Sequence, residues 1–369
     1  MSGVAAAFLC SSSNSRATVY DRLKHMVPKL ALRGQAGVNV AAFTHKEGIR
    51  YARALQSSCD LVRIEHDVRD PSFRLHVAIA HIRSRCRGIG EGGDLQPIHN
   101  NAGTSRYLAI SLDGALVNAR EPTGELLAQG HRLGGNTDAE LLLKWIERSC
   151  ERDYWRHGLP VNYENVFRDI DDRIESAICA LLLDGEGNLV AYRNRCGSRP
   201  LETMQTHDGF VLFALENCAF AGLEGKTQQI LPGHIKYVDG KLGCCVDRSV
   251  NNRRYNGKLS AHETLYLGNP NTSIEGQSYF EIRHNIGVAL GGLVARGLQA
   301  APGSTPTIVS SMPAYWGPVR RWSVCVSRRT RRVRRASGSR RNAIFSANSH
   351  RYTQRAKASH CSKVPRVGN

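Results

Sequence analysis

No run of apolar residues in this 369-residue chain approaches the ~20 needed to span a bilayer, which excludes a transmembrane-helix protein. The first apolar stretch, Gly3–Leu9, is short and no positive residue precedes it, so it does not read as a secretory signal. Cysteine is present but unpatterned. The eleven are odd in number, none form a CxxC pair, and Cys244 and Cys245 are adjacent, which does not suit mutual pairing. That excludes a disulfide framework or a zinc array, predicts no metal site, and places the chain in a reducing cytoplasm. Acid is absent beyond residue 300, where 15 Lys and Arg stand alone; residues 1–300 hold the other 35 basic side chains against 32 acidic ones. The formal net charge of +18 therefore belongs mostly to the tail, the body is close to neutral, and a basic balance does not make the whole molecule a nucleic-acid binder.

What is present is enough for a core. Apolar residues make up 41% of the chain, and at about 100–200 residues per domain the length suggests two domains. Short apolar runs ended by turn residues predict strands at Val38–Phe43, Leu75–Ile82 and Tyr107–Leu112. Helical spacing follows at Glu121–Gln129 and from Asp138 to about Glu151, where Leu141, Leu142, Trp145 and Ile146 share a face. A second strand group comprises Ala177–Leu183, Leu189–Arg193, Phe210–Leu215 and His234–Val238. Two strand groups with helices between them predict two sheets packed together under helices, an α+β layered sandwich. Asp247–Lys258 reads as a linker. Beyond it come a helix from Tyr279 to about Leu298 and an apolar strand, Thr307–Val309, the opening of an α/β domain. Arg320–Arg341 holds ten arginines in 22 residues; such a block repels itself and is expected to be disordered.

Several motifs have plain structural readings. Gly88-Ile-Gly-Glu-Gly-Gly93 fits GxGxxG, but Asp94-Leu-Gln-Pro97 follows instead of a helix, so it reads as a loop and not a nucleotide site. Thr137-Asp-Ala-Glu140 predicts a capping box, the Thr137 hydroxyl taking the Glu140 amide and Glu140 reaching back to the cap's own N–H. That leaves Asp138 unexplained, at a helix start where it suits an ammonium group. His81 and Arg83 end an apolar strand and alone would be residues of a sheet edge; Asp113-Gly114 alone would be a hairpin turn. The tail arginines have no aromatic platform and read as solvated charge.

Taken in order, these fragments carry more. Ser2-Gly-Val4 is followed by Leu32-Arg-Gly-Gln35, His81-Ile-Arg83, Gln96-Pro97, Asp113-Gly114 with Asn118, and Thr137-Asp-Ala-Glu140. Then come Arg193-Asn-Arg-Cys-Gly-Ser-Arg-Pro-Leu201, Pro232-Gly233, and Asn269-Pro-Asn-Thr-Ser-Ile-Glu-Gly276 with Arg283. Over about residues 2–312 this series resembles the amidophosphoribosyltransferases, the glutamine-dependent enzymes that open purine synthesis. The resemblance implies a four-layer αββα sandwich of the N-terminal-nucleophile hydrolase type. It further implies a glutamine amidotransferase domain over 2–250, a partial phosphoribosyltransferase-like domain over 251–313, and an Arg-rich tail over 314–369. In such glutaminases residue 2 becomes the N-terminus once Met1 is removed, which the small side chain of Ser2 allows, and the freed α-amine acts as base for its own side chain.

By the same resemblance Ser2, Asp113 and Gly114 occupy the catalytic positions, while Arg83 pairs with the substrate carboxylate and Asp138 with its α-ammonium. Arg33 is counted with the substrate-binding residues. No cofactor is implied; the small-molecule partner is glutamine, no membrane or nucleic-acid partner is expected, and a homo-oligomer is compatible. Three departures stand out. The family nucleophile is Cys, and a hydroxyl is less nucleophilic than a thiol. The family's Asn-Gly, which supplies donors to the oxyanion, is Asp113-Gly114, and loss of one donor typically costs ~10²–10³ in rate. The residues after His81-Ile-Arg83 are Ser84, Arg85 and Cys86, altering one wall of the glutamine pocket. Asp171-Asp172, the only Asp-Asp pair, lies in a helical stretch before the linker, so no phosphoribosyl transfer is expected. The expected protein is an amidotransferase with slow or lost glutaminase activity; the alternative is a non-catalytic relative that binds glutamine or a partner.

Overall fold

The computed structural model describes residues 2–10, 13, 15–34, 37–44, 48–54, 75–83, 96–100, 106–135, 137–251, 259–274 and 276–300. The chain enters the fold as a strand, β1 (Ser2–Leu9), buried from Gly3 onward. Its unbroken apolar run follows from burial on both faces. Val4, Ala6 and Phe8 point into a core shared by two sheets, and the alternate residues Ala5, Ala7 and Leu9 into a second core under helices. The short apolar stretch at the start is thus a central strand, between β10 and β4.

The strands follow as β2 (Gly37–Thr44), β3 (Gly48–Ala54), β4 (Val77–Arg83), β5 (Ile98–His99), β6 (Leu108–Leu116), β7 (Ser176–Asp184), β8 (Leu189–Arg193), β9 (Glu202–Thr206), β10 (Phe210–Ala214), β11 (Gly225–Gln229), β12 (His234–Val238) and β13 (Cys245–Ser249). One sheet has the order β11-β9-β10-β1-β4-β2-β3 and the other β13-β12-β8-β7-β6-β5, with antiparallel neighbours throughout. Ala41, Phe43, Val77 and Ile79 of the first sheet meet Ala109, Cys179, Leu181 and Leu183 of the second in the middle core.

Helices cover the outer faces. On the first sheet lie α1 (Val19–Met26) and a 3₁₀ turn, Val27–Arg33, whose Leu23, Met26 and Leu30 pack on Val38, Val40 and Ile82. On the second lie α2 (Arg120–Ala128), α3 (Asp138–Asp153) and α4 (Tyr163–Arg173), where Leu142, Trp145 and Phe167 pack on Ile110, Leu182 and Tyr192. Fully burying each such large side chain contributes about 1.5–3 kcal/mol. The four layers are those of an αββα sandwich, as expected.

Four local expectations are corrected. Asp113-Gly114 is no hairpin turn: β6 runs through it to Leu116. Gly114, at φ +121°, lies so close to β7 that a Cβ would stand 2.0 Å from the Ala177 carbonyl oxygen, so the glycine serves close approach. His81 and Arg83 are not edge residues, because β4 runs between β1 and β2. Thr137 caps α3 through the Glu140 amide at 3.2 Å, but Glu140 turns away from the cap to the amides of Gly134 and Gly135, whose loop offers it two donors. Asp247–Ser249, placed in the linker, instead closes β13 against β12; such a polar edge strand resembles a loop in composition.

Further on, β14 (Ser273–Ile274) pairs antiparallel with β15 (Gln277–Ser278), and α5 (Tyr279–Ala300) follows. The chain divides after Arg283; beyond that point residues 284–300 are described, all within α5. Gly88–Gly93, Ser84–Cys86, Gln35, Thr307–Val309 and the Arg320–Arg341 block lie outside the described residues. No described helix is long and apolar enough to cross a membrane.

Candidate functional site

The middle core is apolar along most of its length and polar at one end. On β4 the period of two carries the inward face from Val77 and Ile79 to His81 and Arg83; on β6 it runs from Ala109 to Ser111 and Asp113. Register adds the rest: Ser2 pairs with Arg83, Val4 with His81, and Asn39 of β2 with His81 from the other side.

Among the described residues, two links bridge the sheets here, one direct and one through Gln96. The Ser2 backbone N–H donates to Asp113 Oδ1 at 2.8 Å. Asn39 Nδ2 donates to the Gln96 carbonyl at 2.9 Å, and Gln96 Oε1 accepts from the Leu112 amide at 2.6 Å.

Asn39, His81, Ser111 and Asp113 are at most 3% exposed. Asn39 Oδ1, both His81 ring nitrogens, Ser111 Oγ and Asp113 Oδ2 nevertheless have no hydrogen-bond partner among the described residues. An orphaned buried polar atom costs about 1–3 kcal/mol, so five on facing strands mark a place selected for something other than stability. Burial drives the His81 pKa down to about 3, assisted by the positive charges of Arg83 and the chain terminus; the neighbouring Leu112 backbone pulls weakly the other way, outside hydrogen-bond geometry. His81 is a neutral imidazole at physiological pH.

Asp113 also belongs to a buried charge cluster. Arg33 Nη1 and Arg199 Nε both stand 3.8 Å from its Oδ2. Arg33 binds Glu216 through Nε and Glu263 through Nη2, and Arg199 Nη1 reaches Glu263 at 2.9 Å. Glu216 in turn accepts from the Asn269 amide at 2.7 Å and from the Thr272 hydroxyl. Burial opposes the charge on Arg33, but Glu216, Glu263 and Asp113 outweigh it and raise its pKa. The negative charge that Asp113 brings is therefore met by two guanidiniums.

Asp138 opens α3, and its Oδ2 accepts the Leu116 amide at 3.1 Å, tying the helix start to the end of β6. Ser2, Arg33, Arg83, Asp113 and Gly114 thus gather at one end of the sandwich, with Asp138 attached two residues beyond Gly114. Arg33 is 4% exposed and engaged by carboxylates of the protein itself. Sequence reasoning missed Asn39, Ser111, Glu216 and Glu263. The last two are single acids that meet Arg33 across 183 and 230 residues, and no local pattern announces them. Arg199 lay within a quoted motif without an assigned role.

Residues 81–221 match a family described as a glutamine amidotransferase domain. The chain is similar to the amidophosphoribosyltransferase of Methanothermobacter thermautotrophicus, 22% identical over 76% of this chain and 56% of that protein. It is also similar to that of Escherichia coli, 26% identical over 76% of this chain and 54% of that protein. The chain spans about half the length of these curated relatives. Among solved structures, glutamine phosphoribosylpyrophosphate amidotransferase from B. subtilis, complexed with ADP and GMP, superposes with a TM-score of 0.63 at 19% identity, covering 79% of this chain and 58% of that one. A structure described as the allosteric regulatory enzyme of purine biosynthesis gives the same TM-score and identity over 82% and 58%. These superpositions establish the shared fold. Sequence and architecture point the same way: residues 81–221 match the glutamine amidotransferase domain, and the chain is similar in sequence and fold to the amidophosphoribosyltransferases.

Proposed function

We propose that residues 2–250 bind glutamine at the polar end of the sandwich and hydrolyse its side-chain amide slowly, with Ser2 as nucleophile. The observation that carries this reading is the 2.8 Å contact from the Ser2 nitrogen to Asp113, with Arg83 paired beside Ser2 across β1 and β4. Arg83 would hold the substrate carboxylate, for which a guanidinium fork is suited, and Asp138 the α-ammonium at the start of α3. Arg33, enclosed by Glu216 and Glu263, would act one step back by holding Asp113 and not the substrate.

Once Met1 is removed, the Ser2 nitrogen becomes an amine facing a carboxylate. A neighbouring carboxylate favours the protonated amine, which is the form that cannot accept the Ser2 hydroxyl proton. This contact therefore supports slow turnover, and it favours the second reading, a relative that binds glutamine without hydrolysing it. Residues 251–313 would be the start of a phosphoribosyltransferase-like part and 314–369 a basic tail. We assign no phosphoribosyl transfer to them: Asp171 of the only Asp-Asp pair is taken by the Tyr192 hydroxyl at 2.8 Å and by Asn251.

Thermal unfolding of the full chain in millimolar L-glutamine tests the binding. A rise in Tm that is lost in Arg83→Ala supports the reading, since a ligand specific to the native state stabilises it. No rise in the wild-type chain refutes it.

A further inference from the structure

At the far end of β1 from Ser2, Cys10 lies beside the turn that leads into Cys244 and Cys245. Cys10 follows β1 and is half-buried; Cys244 is exposed; Cys245 begins β13 and is half-buried. The turn between β12 and β13 brings the second and third of them near the first. Asp239 builds that turn, accepting the Gly243 amide at 2.8 Å on its carbonyl and the Lys241 and Leu242 amides on its carboxylate, and donating its own N–H to the Cys244 carbonyl. Gly243, at φ +67°, rests on Cys10: a Cβ there would lie 3.4 Å from Cys10 Cα and Cβ and 3.6 Å from its sulfur. The Cys10 thiol points at the Gly243 carbonyl, 3.7 Å away.

Cys244 follows Gly243 directly, and consecutive Cα atoms are about 3.8 Å apart, which keeps it close to Cys10. Cys10 and Cys245 pack against the same inter-sheet core. Burial chiefly raises the pKa of both, while Cys244 adds to the rise at Cys10 and Cys10 to that at Cys245. Among the described residues no three His, Cys, Asp or Glu side chains converge as metal ligands.

We propose that Cys10 and the Cys244–Cys245 pair form a reversible disulfide site whose oxidant is a low-molecular-weight disulfide such as glutathione disulfide. The exposed Cys244 thiolate attacks one glutathione sulfur, forming a mixed disulfide and releasing one glutathione thiolate. The Cys10 thiolate then attacks the Cys244 sulfur, the mixed bond breaks, and a second glutathione thiolate leaves. The two protein thiols are oxidised, one glutathione disulfide is reduced to two glutathiones, and the two thiol protons pass to solvent. Exchange with the adjacent Cys245 can move the bond within the pair. The bond ties the first sheet to the second at the end away from Ser2, and closes a loop of more than 230 residues.

The test uses the full reduced chain, equilibrated with glutathione disulfide under native conditions, then denatured, alkylated and digested with trypsin. Cys10 lies in the peptide ending at Arg16 and the pair in the peptide 242–248. The expected result is one cross-linked species joining the two peptides, with a single alkyl group on the pair and loss of alkylation at Cys10. In Cys10→Ser the cross-link is lost and a glutathione adduct stays on residues 242–248. A Cys10 that remains fully alkylated, beside a glutathione adduct or a Cys244–Cys245 bond, overturns the proposal. So does a cross-link that forms equally well in denaturant, because the native juxtaposition would then contribute nothing.

Discussion

The Asp113 carboxylate receives the backbone N–H of Ser2 at 2.8 Å, joining the first residue of one sheet to a strand of the other. Around that contact the interior changes character. Apolar packing gives way to a neutral buried histidine, polar atoms with no partner among the described residues, and a cluster of two guanidiniums and three carboxylates. Each feature has a measurable consequence.

His81 makes the protein acid-sensitive. Its folded pKa of about 3 lies below the ordinary histidine value near ~6.5, so between those pH values the unfolded chain binds the extra proton. The stabilising difference is fully present above pH ~6.5 and is lost as pH falls toward 3, at up to about 1.4 kcal/mol per pH unit. Urea unfolding of His81→Phe across that range should show a shallower loss of stability than the wild-type chain. Parallel pH profiles would show that His81 is not the group responsible.

Glu202 works in the opposite direction. Burial raises its pKa to about 7, with Arg193 and Gln229 pulling it down only in part. A folded value above the unfolded one means stability present at low pH and lost as pH rises through 7. Glu202→Gln should therefore be more stable than wild type at pH 8 and lose that advantage near pH 5, as read by chemical denaturation.

Arg33 holds three buried carboxylates in place. Arg33→Met removes the guanidinium that meets Glu216, Glu263 and Asp113 together and should cost about 3–5 kcal/mol of folding stability. A loss under about 1 kcal/mol, measured by urea titration, would contradict that account.

Two glycine substitutions separate close approach from mere flexibility. Gly114→Ala sets a methyl group 2.0 Å from the Ala177 carbonyl oxygen at φ +121°, and should abolish soluble folded protein. Gly124, inside α2, has nothing within 4 Å of its Cβ position, so Gly124→Ala should stabilise by about 0.5–1 kcal/mol.

Much of this fold is legible in the sequence wherever one face of an element is exposed or a turn is explicit. Leu189–Arg193 and His234–Val238 are the strands that their runs predict, and Asp138 heads the α3 helix. Ser2–Leu9 is harder, because burial on both faces erases the alternation that marks a strand. Asp113-Gly114 carries a local turn signal, and only the backbone of Ala177, 63 residues later, turns it into strand. The same holds for the site. Ser2, Arg83 and Asp113 are found through motif order, whereas Glu216 and Glu263 join through long-range ion pairs that no spacing encodes.

Ammonia release from glutamine, compared between the wild-type chain and the Ser2→Cys/Asp113→Asn double variant, bears most directly on the central claim. Placing a thiol and a side-chain amide donor at these two positions should raise the rate by about 10²-fold or more. A folded double variant that releases no more ammonia than the wild-type chain would contradict the assignment of this end of the sandwich as a glutaminase site.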